Sequence, residues 1–217
     1  MSNHSQAHPA HLQHHFVDSD QQFDAAKMGM WVFIVNEILF FGGLFFAYIV
    51  FRAWYPELFT MAAKELNTLW GAVNTLVLIG SSLTIAMAIR SAQKNQIKGL
   101  RINLLITIAL ACVFLLIKYF EYSHKLHIGI WPGADLYTYE GVDHPLAHVF
   151  FSIYYVMTGI HALHIIIGIG IMIWMYIRAT RNEFGSNYYT PVEMTGLYWH
   201  LVDIIWIFLF PLLYLIE

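Results

Sequence analysis

The chain alternates between long apolar stretches and short polar ones. Runs of about twenty mostly apolar residues recur along its 217 residues, and a helix of that length spans the hydrocarbon core of a bilayer. The longest run is expected to tilt or to project beyond the bilayer. The pattern predicts five spans, at about 28–51, 68–90, 100–122, 147–178 and 196–216.

We expect all five spans to be helices. A helix satisfies its own backbone hydrogen bonds in lipid, and the chain lacks the short alternating segments of a barrel. The predicted fold class is all-α, a polytopic membrane protein built as a five-transmembrane-helix bundle. A polar, His-rich N-terminal tail over 1–26 precedes a membrane domain over 27–217.

Composition supports this class and excludes others. The chain is 59% hydrophobic and 12% charged, whereas an average soluble domain is about 25% charged. A net charge of −3 without a basic cluster argues against a nucleic-acid partner. The single cysteine, Cys112, excludes an intrachain disulfide and a thiolate metal site. Residues 1–24 lack the apolar core of a signal peptide.

Lysine and arginine are distributed unevenly along the chain. Five alternating spans place the N-terminus and the second and fourth loops on one side, with seven Lys or Arg against four on the other. Loops rich in these residues stay in the cytoplasm. We therefore expect a cytoplasmic N-terminus and a periplasmic C-terminus.

Glu37 is the most unusual residue of the first span, because it lies roughly 15 Å deep in the bilayer. A charged side chain at that depth costs about 2.5–3.5 kcal/mol on insertion scales. Its own helical face has no side chain that could neutralise it, so a partner must come from another helix or from water. Two interpretations stay open: a protonated acid that hydrogen-bonds between helices, or a group that handles protons or meets a partner protein.

The fourth span has one small, polar face. Thr158, His161, His164 and Gly168 recur there at helical spacing, which is typical of closely packed membrane helices. Arg178, near the end of this span, has the geometry to bind a lipid phosphate through two hydrogen bonds.

Two further pairs lie three residues apart on one helical face. His200 and Asp203 either orient the imidazole for metal or proton chemistry or satisfy each other as buried polar groups. Lys118 and Glu121 pair with each other or with neighbouring helices. Tail histidines either capture metal and buffer protons or belong to a solvated segment: His4, His8, His11, His14 and His15.

Haem ligation is a hypothesis of a different class. A bis-His haem needs two imidazoles that face each other, and His200 is the only deep histidine outside the fourth span, where His161 and His164 lie. This would make the chain a haem b membrane anchor. A haem–copper core needs more histidines across more helices than this chain offers.

Several motifs together resemble subunit III of the haem–copper respiratory oxidases. YWHLVDIIWIFLF (198–210) is similar to the final-helix signature, and TGIHALHIIIG (158–168) to the Gly–x–His–x–x–His–x–x–x–Gly motif. Three stretches resemble the first, second and third core helices in order: NEILFF (36–41), NTLVLIGSSLTIAMA (74–88) and FEYSHK (120–125). The resemblance covers about 27–217 and fits the five-helix bacterial form, which lacks the first two helices of the commonest form.

This resemblance implies an accessory subunit that binds no redox metal and is not itself catalytic. Such a subunit belongs to a proton-pumping, cytochrome c oxidase-type complex in the bacterial inner membrane. It docks on subunit I, which holds haem and copper, beside subunit II, which can hold copper, and other subunits. It holds structural phospholipid, protects the enzyme during turnover and assists proton uptake. A quinol oxidase subunit III and the accessory subunit of nitric oxide reductase remain alternatives.

The resemblance also assigns expected roles to single residues. Glu37 corresponds to the family's buried, carbodiimide-reactive carboxylate. Four residues correspond to polar positions around the lipid cleft: Glu121, His161, His164 and Arg178. Four belong to the final-helix motif: Glu193, Trp199, His200 and Asp203. Lys118 departs from the family, which has a neutral polar residue there, and the absence of two helices changes how the cleft is closed.

Overall fold

The computed structural model describes residues 12–216 and forms six helices there. One of them is short, α2 (Pro56–Ala63). The other five are long and apolar enough to cross a membrane: α1 (Ser19–Trp54), α3 (Thr68–Gln93), α4 (Ile97–His127), α5 (Ala147–Thr180) and α6 (Thr190–Tyr214). Each predicted span overlaps one of these five helices, so the predicted all-α, five-span architecture is confirmed.

α1 begins before the first apolar run because a polar residue caps it. Asp18 accepts a hydrogen bond from the backbone N–H of Gln21 at 2.7 Å, which satisfies a donor that the first turn leaves unpaired. The first turns of α1 therefore lie inside the segment assigned to the tail. Three tail histidines fall outside the described residues: His4, His8 and His11.

The sequence pattern did not predict α2. Pro56 occupies its first turn, where the fixed φ of proline suits a helix start. Leu58 and Phe59 are buried, and α2 packs against α1 and α5. An eight-residue helix is too short for its apolar face to stand out as a periodic pattern.

The bundle is a closed ring of four helices with a fifth helix outside it. α3 packs on α4, α4 on α5, α5 on α6, and α6 on α3 again, whereas α1 lies across α5 and α6. We call the end with the start of α1 and the α3–α4 turn the N-side, and the end with α2 and the end of α6 the C-side. Arg101 binds the Ala179 carbonyl at the N-side, and Tyr48 donates to the Leu212 carbonyl at the C-side.

The side chains of Trp199 and Trp206 lie inside the ring, and the indole N–H of each has an acceptor on α3. Trp199 donates to Ser81 at 2.9 Å, and Trp206 donates to Thr75 at 3.1 Å. A buried indole needs such a partner. The Trp199 ring lies so close to Gly168 that a Cβ on this glycine would come within 2.7 Å of it.

Candidate functional site

Glu37 has its partner on another helix, as the sequence required. His164 of α5 places Nε2 3.2 Å from Glu37 Oε2. Both residues lie near the midpoints of their helices. Their side chains are 13% and 15% exposed for Glu37 and His164 respectively, so the pair is mostly enclosed at mid-membrane depth.

The hydrogen bonds of His164 determine how many protons the pair holds. Nδ1 lies 2.9 Å from the Ile160 carbonyl oxygen, which can only accept, so Nδ1 carries a hydrogen. Nε2 then either accepts a proton from Glu37 or, once protonated, donates to its carboxylate. In both forms the Glu37–His164 pair shares one proton and has no net charge, which removes most of the cost of a lone carboxylate in lipid.

The pair lies in a cleft between α1, α5 and α6 of about 530 Å³, which we call the α1–α5–α6 cleft. The cleft extends from the pair towards the N-side. Its walls are mostly apolar and include Met30, Phe33, Ile171, Trp174, Met194 and Tyr198. The hydroxyl of Tyr198 donates to the His164 carbonyl at 2.8 Å, which ties α6 to α5 at the inner end of the cleft.

Glu121 lies in a different place, at the centre of a buried ionic cluster near the C-side. Its carboxylate accepts from Lys118 at 2.9 Å and from Lys125 at 3.3 Å. Two tyrosine hydroxyls also donate to it, Tyr154 at 2.9 Å and Tyr214 at 2.7 Å. The predicted pairing of Lys118 with Glu121 is confirmed, and the structure adds three partners.

A second cavity, of about 440 Å³, opens beside the Glu121 cluster. Its lining includes Glu121 and Lys125 together with Lys64 and Glu65 from the loop before α3. The hydroxyl of Tyr139 donates to Glu65 at 2.7 Å, and this hydrogen bond raises the pKa of Tyr139 above its ordinary value. Glu65 also places a negative charge near Lys125.

His161 and His164 diverge although they are three residues apart. His161 points into the ring, where its imidazole stacks on Trp206 with centroids 5.2 Å apart and meets the edge of Phe114 at 5.6 Å. It is fully buried, and within the described part of the chain neither ring nitrogen has a hydrogen-bond partner. Only His164 of the two lines the α1–α5–α6 cleft.

The interpretation that His200 and Asp203 satisfy each other is wrong. His200 Nδ1 instead lies 2.8 Å from the Ser82 hydroxyl of α3. Neither Asp203 oxygen has a well-formed hydrogen bond among residues 12–216, although Ser82 lies near it. α3 supplies the hydroxyl that His200 contacts, which spacing along α6 does not reveal. Glu193, in the first turn of α6, also has one buried oxygen without a partner among these residues.

Arg178 has an internal partner at the N-side. Its Nε donates to Glu183 at 2.6 Å, and its guanidinium lies over the rings of Trp174 and Phe184 at 5.2 and 5.0 Å. A lipid phosphate would have to compete with Glu183 or share the guanidinium with it.

Sequence reasoning missed three members of the Glu121 cluster. Lys125 is four residues from Glu121, a spacing that predicts an ion pair on a helix. Tyr154 and Tyr214 are 33 and 93 residues away, so only the helix packing reveals them.

The geometry defines a class of protein: an all-helical, multi-pass membrane protein with buried polar pairs. Across residues 12–216, no group of three or more His, Cys, Asp or Glu side chains is arranged to hold a metal ion. The family model for cytochrome c oxidase subunit III matches residues 11–217. The chain belongs to this family, whose members serve electron transport in the respiratory chain.

Individual relatives agree with the family model. The chain is 35% identical to "Cytochrome c oxidase subunit 3" of Thermostichus vulcanus over 200 residues, 89% of each chain. It is 32% identical to "Probable cytochrome c oxidase subunit 3" of Nocardia farcinica over 196 residues, 88% of each chain. "Heme-copper oxidase subunit I+III" of Aeropyrum pernix is 30% identical over 205 residues, which cover 89% of this chain and 23% of that protein.

Proposed function

We propose that this chain is the accessory, non-redox subunit III of a proton-pumping terminal oxidase. The observation that carries the proposal is the family match over residues 11–217. In this function the partner subunits reduce O₂, while this chain stabilises subunit I, holds structural phospholipid and assists proton uptake.

The Aeropyrum relative supports subunit I as the main docking partner. Its name joins subunits I and III in one polypeptide. Joining two domains raises the effective concentration of each for the other, which favours an arrangement in which they already contact. Subunit II and other respiratory subunits would complete the complex around subunit I.

Haem and copper would belong to the partner subunits. Subunit I would hold haem and copper, and subunit II would hold further copper. The residues of this chain do not suit a bis-His haem. His161 is enclosed by Phe114 and Trp206 inside the ring, whereas His200 bonds Ser82 and lines a groove between α1 and α6. These two imidazoles lie in separate environments, which argues against the haem b anchor.

The Glu37–His164 pair supports a part in proton uptake. Adding a proton to the pair or removing one would leave a net charge at mid-membrane, which is costly. A proton can pass without that charge if its arrival at the free oxygen of Glu37 accompanies release of a proton from Glu37, since His164 Nδ1 is committed to the Ile160 carbonyl. The pair therefore favours relay over storage.

The distribution of cations supports a bacterial inner membrane location with a cytoplasmic N-side. Of the four C-side cations, Lys118 and Lys125 are buried in the Glu121 cluster. Arg52 and Lys64 are left to face the C-side surface, against seven Lys or Arg at the N-side. Because this bias acts during insertion, before the helices pack, the count of seven against four remains its measure and favours a cytoplasmic N-side.

Purification of the native complex tests this function. A tag on this chain should co-purify a haem–copper oxidase subunit I that reduces O₂, identified by mass spectrometry and by its optical spectrum. A nitric oxide reductase as the main partner would overturn the proposal. So would a Soret band of the isolated chain that is lost in His161→Ala or His200→Ala.

A further inference from the structure

The α1–α5–α6 cleft has walls and polar groups that suit one class of ligand. We propose that it binds a lipophilic quinol, whose phenolic hydroxyl donates a hydrogen bond to Glu37. Quinol binding is not part of the accessory function proposed above. It requires only that the cleft be open to the bilayer.

Glu37 has an unused acceptor. Among the described residues only His164 hydrogen-bonds Glu37, through Oε2, and the carboxyl group lines the cleft. The hydrocarbon core supplies no water to an exposed polar atom, and an unsatisfied one costs several kcal/mol. The second oxygen of Glu37 therefore calls for a donor from a ligand or from a trapped water.

The cleft contains a second acceptor, the hydroxyl oxygen of a threonine. Thr195 lines it, and its hydroxyl hydrogen is already donated to the Pro191 carbonyl at 2.8 Å. The hydroxyl of Tyr198 is similarly committed to His164. The polar groups of the cleft are thus left accepting, and a ligand with two hydroxyl donors is their complement.

Depth argues against a phospholipid headgroup as the donor. Glu37 lies halfway along α1, so about 15 Å of hydrocarbon separates it from either interface. A phosphate or its amine substituent stays at the interface, because burying a charge in hydrocarbon is expensive. The ligand must be apolar enough to place its hydroxyl at mid-membrane.

The walls favour a ring over a plain chain. Phe33, Trp174 and Tyr198 offer aromatic faces and edges, which pair with another ring at offset or edge-on geometry. Met30, Met175 and Met194 add flexible side chains that adapt to a ring of irregular outline. A volume of about 530 Å³ is within the usual range for small-molecule sites.

Binding to the purified full-length chain in nanodiscs of synthetic, quinone-free phospholipid tests the proposal. Decylubiquinol, held reduced under anaerobic conditions, should bind saturably with one molecule per chain. Its dimethyl ether, which cannot donate, should bind at least about fivefold more weakly, since leaving a buried acceptor without a donor costs about 1–3 kcal/mol. Glu37→Leu should weaken quinol binding by about 10- to 100-fold, because the quinol hydroxyl is then left without an acceptor.

Two tryptophan variants separate the cleft from the rest of the surface. Ile171→Trp, about two turns along α5 from His164, places a larger side chain in the cleft and should abolish binding. Ile173→Trp, on the exposed face of the same helix, should leave it unchanged. This control stays informative even if Glu37→Leu fails to fold.

Several outcomes would overturn the proposal. These are an absence of saturable binding, equal affinity for quinol and ether, equal competition by decanol or dioctanoylglycerol, and binding that survives Ile171→Trp. Each is measured on the isolated chain, so it leaves the co-purification test of the oxidase function unaffected.

Discussion

Glu121 concentrates more interactions than any other single side chain described above. One carboxylate accepts from two lysines and two tyrosines inside the ring. Lys118 also lies over the Trp206 ring at 4.7 Å. Removing one partner of a buried ion pair costs about 3–5 kcal/mol, because the other charge is left uncompensated.

We therefore expect Glu121→Leu to lower the free energy of unfolding by about 3–5 kcal/mol. Denaturation of the purified chain in detergent, followed by circular dichroism, measures the loss. Glu121→Leu combined with Lys118→Met should recover part of it, since one of the two orphaned cations is removed.

The matched control is Glu57→Gln on the exposed face of α2, which should change stability by less than about 0.5 kcal/mol. If Glu121→Leu were as mild as this control, the cluster would contribute little to the stability of the ring.

Glu37→Gln should leave folding and assembly intact, because an amide can donate to His164 Nε2 while the imidazole stays neutral. The amide cannot release a proton, so it cannot take part in proton uptake. Because the proposed accessory role protects the enzyme during turnover, activity should be lost faster over many turnovers while the first turnovers stay normal. Oxygen consumption by the purified complex, recorded from the first turnover onwards, makes the comparison. Loss of the first turnover would contradict an accessory role for Glu37.

The residue scale also shows where sequence reasoning stops. Local spacing predicted that Lys118 pairs with Glu121, because both lie on one helix. It required a partner for Glu37 but could not name His164, 127 residues away. It paired His200 with Asp203 wrongly, because the actual partner of His200 is Ser82 of α3, which only packing brings near.

At the scale of elements, the ring depends on close approach at α5 and α6. Gly168 faces Trp199 with no room for a Cβ, whereas Gly170, two residues further on, has nothing within 4 Å of the same position. Replacing each of these two glycines by alanine therefore distinguishes the effect of packing on stability from the effect of helix propensity.

We expect Gly168→Ala to destabilise the chain by about 1–3 kcal/mol through overpacking. Gly170→Ala should be neutral or stabilising by up to about 1 kcal/mol, because alanine has the higher helix propensity. Thermal unfolding of both variants in the same detergent decides the matter. Equal effects would show that Trp199 shifts freely to make room.

The elements themselves were largely predictable. Each of the five spans follows from apolar length, which is the strongest signal that a membrane sequence carries. α2 and the early start of α1 were missed because they depend on Pro56 and Asp18, single residues outside the apolar runs.

At the scale of the whole molecule, alternating helices fix which loops share a side, and from the cation bias we expect the N-side to be cytoplasmic. In a Cys112→Ser background, cysteine at Asp135 in the α4–α5 loop should react with an impermeant thiol reagent added outside intact spheroplasts. Cysteine at Ser186 in the α5–α6 loop should react only after permeabilisation. Both positions are exposed, so the reverse pattern would mean the opposite orientation.

The position of α1 outside the ring has a consequence for biosynthesis. α1 leaves the ribosome first, yet the partner of its glutamate is 127 residues downstream. At a synthesis rate of about 5–20 residues per second, Glu37 waits roughly 6–25 s in the membrane before His164 is made. Throughout that interval the nascent protein presents an unmatched acid to lipid and to the cell's quality-control machinery. The cost of that unpaired acid, about 2.5–3.5 kcal/mol if charged, must be offset by the apolar residues of α1 alone until His164 is in place.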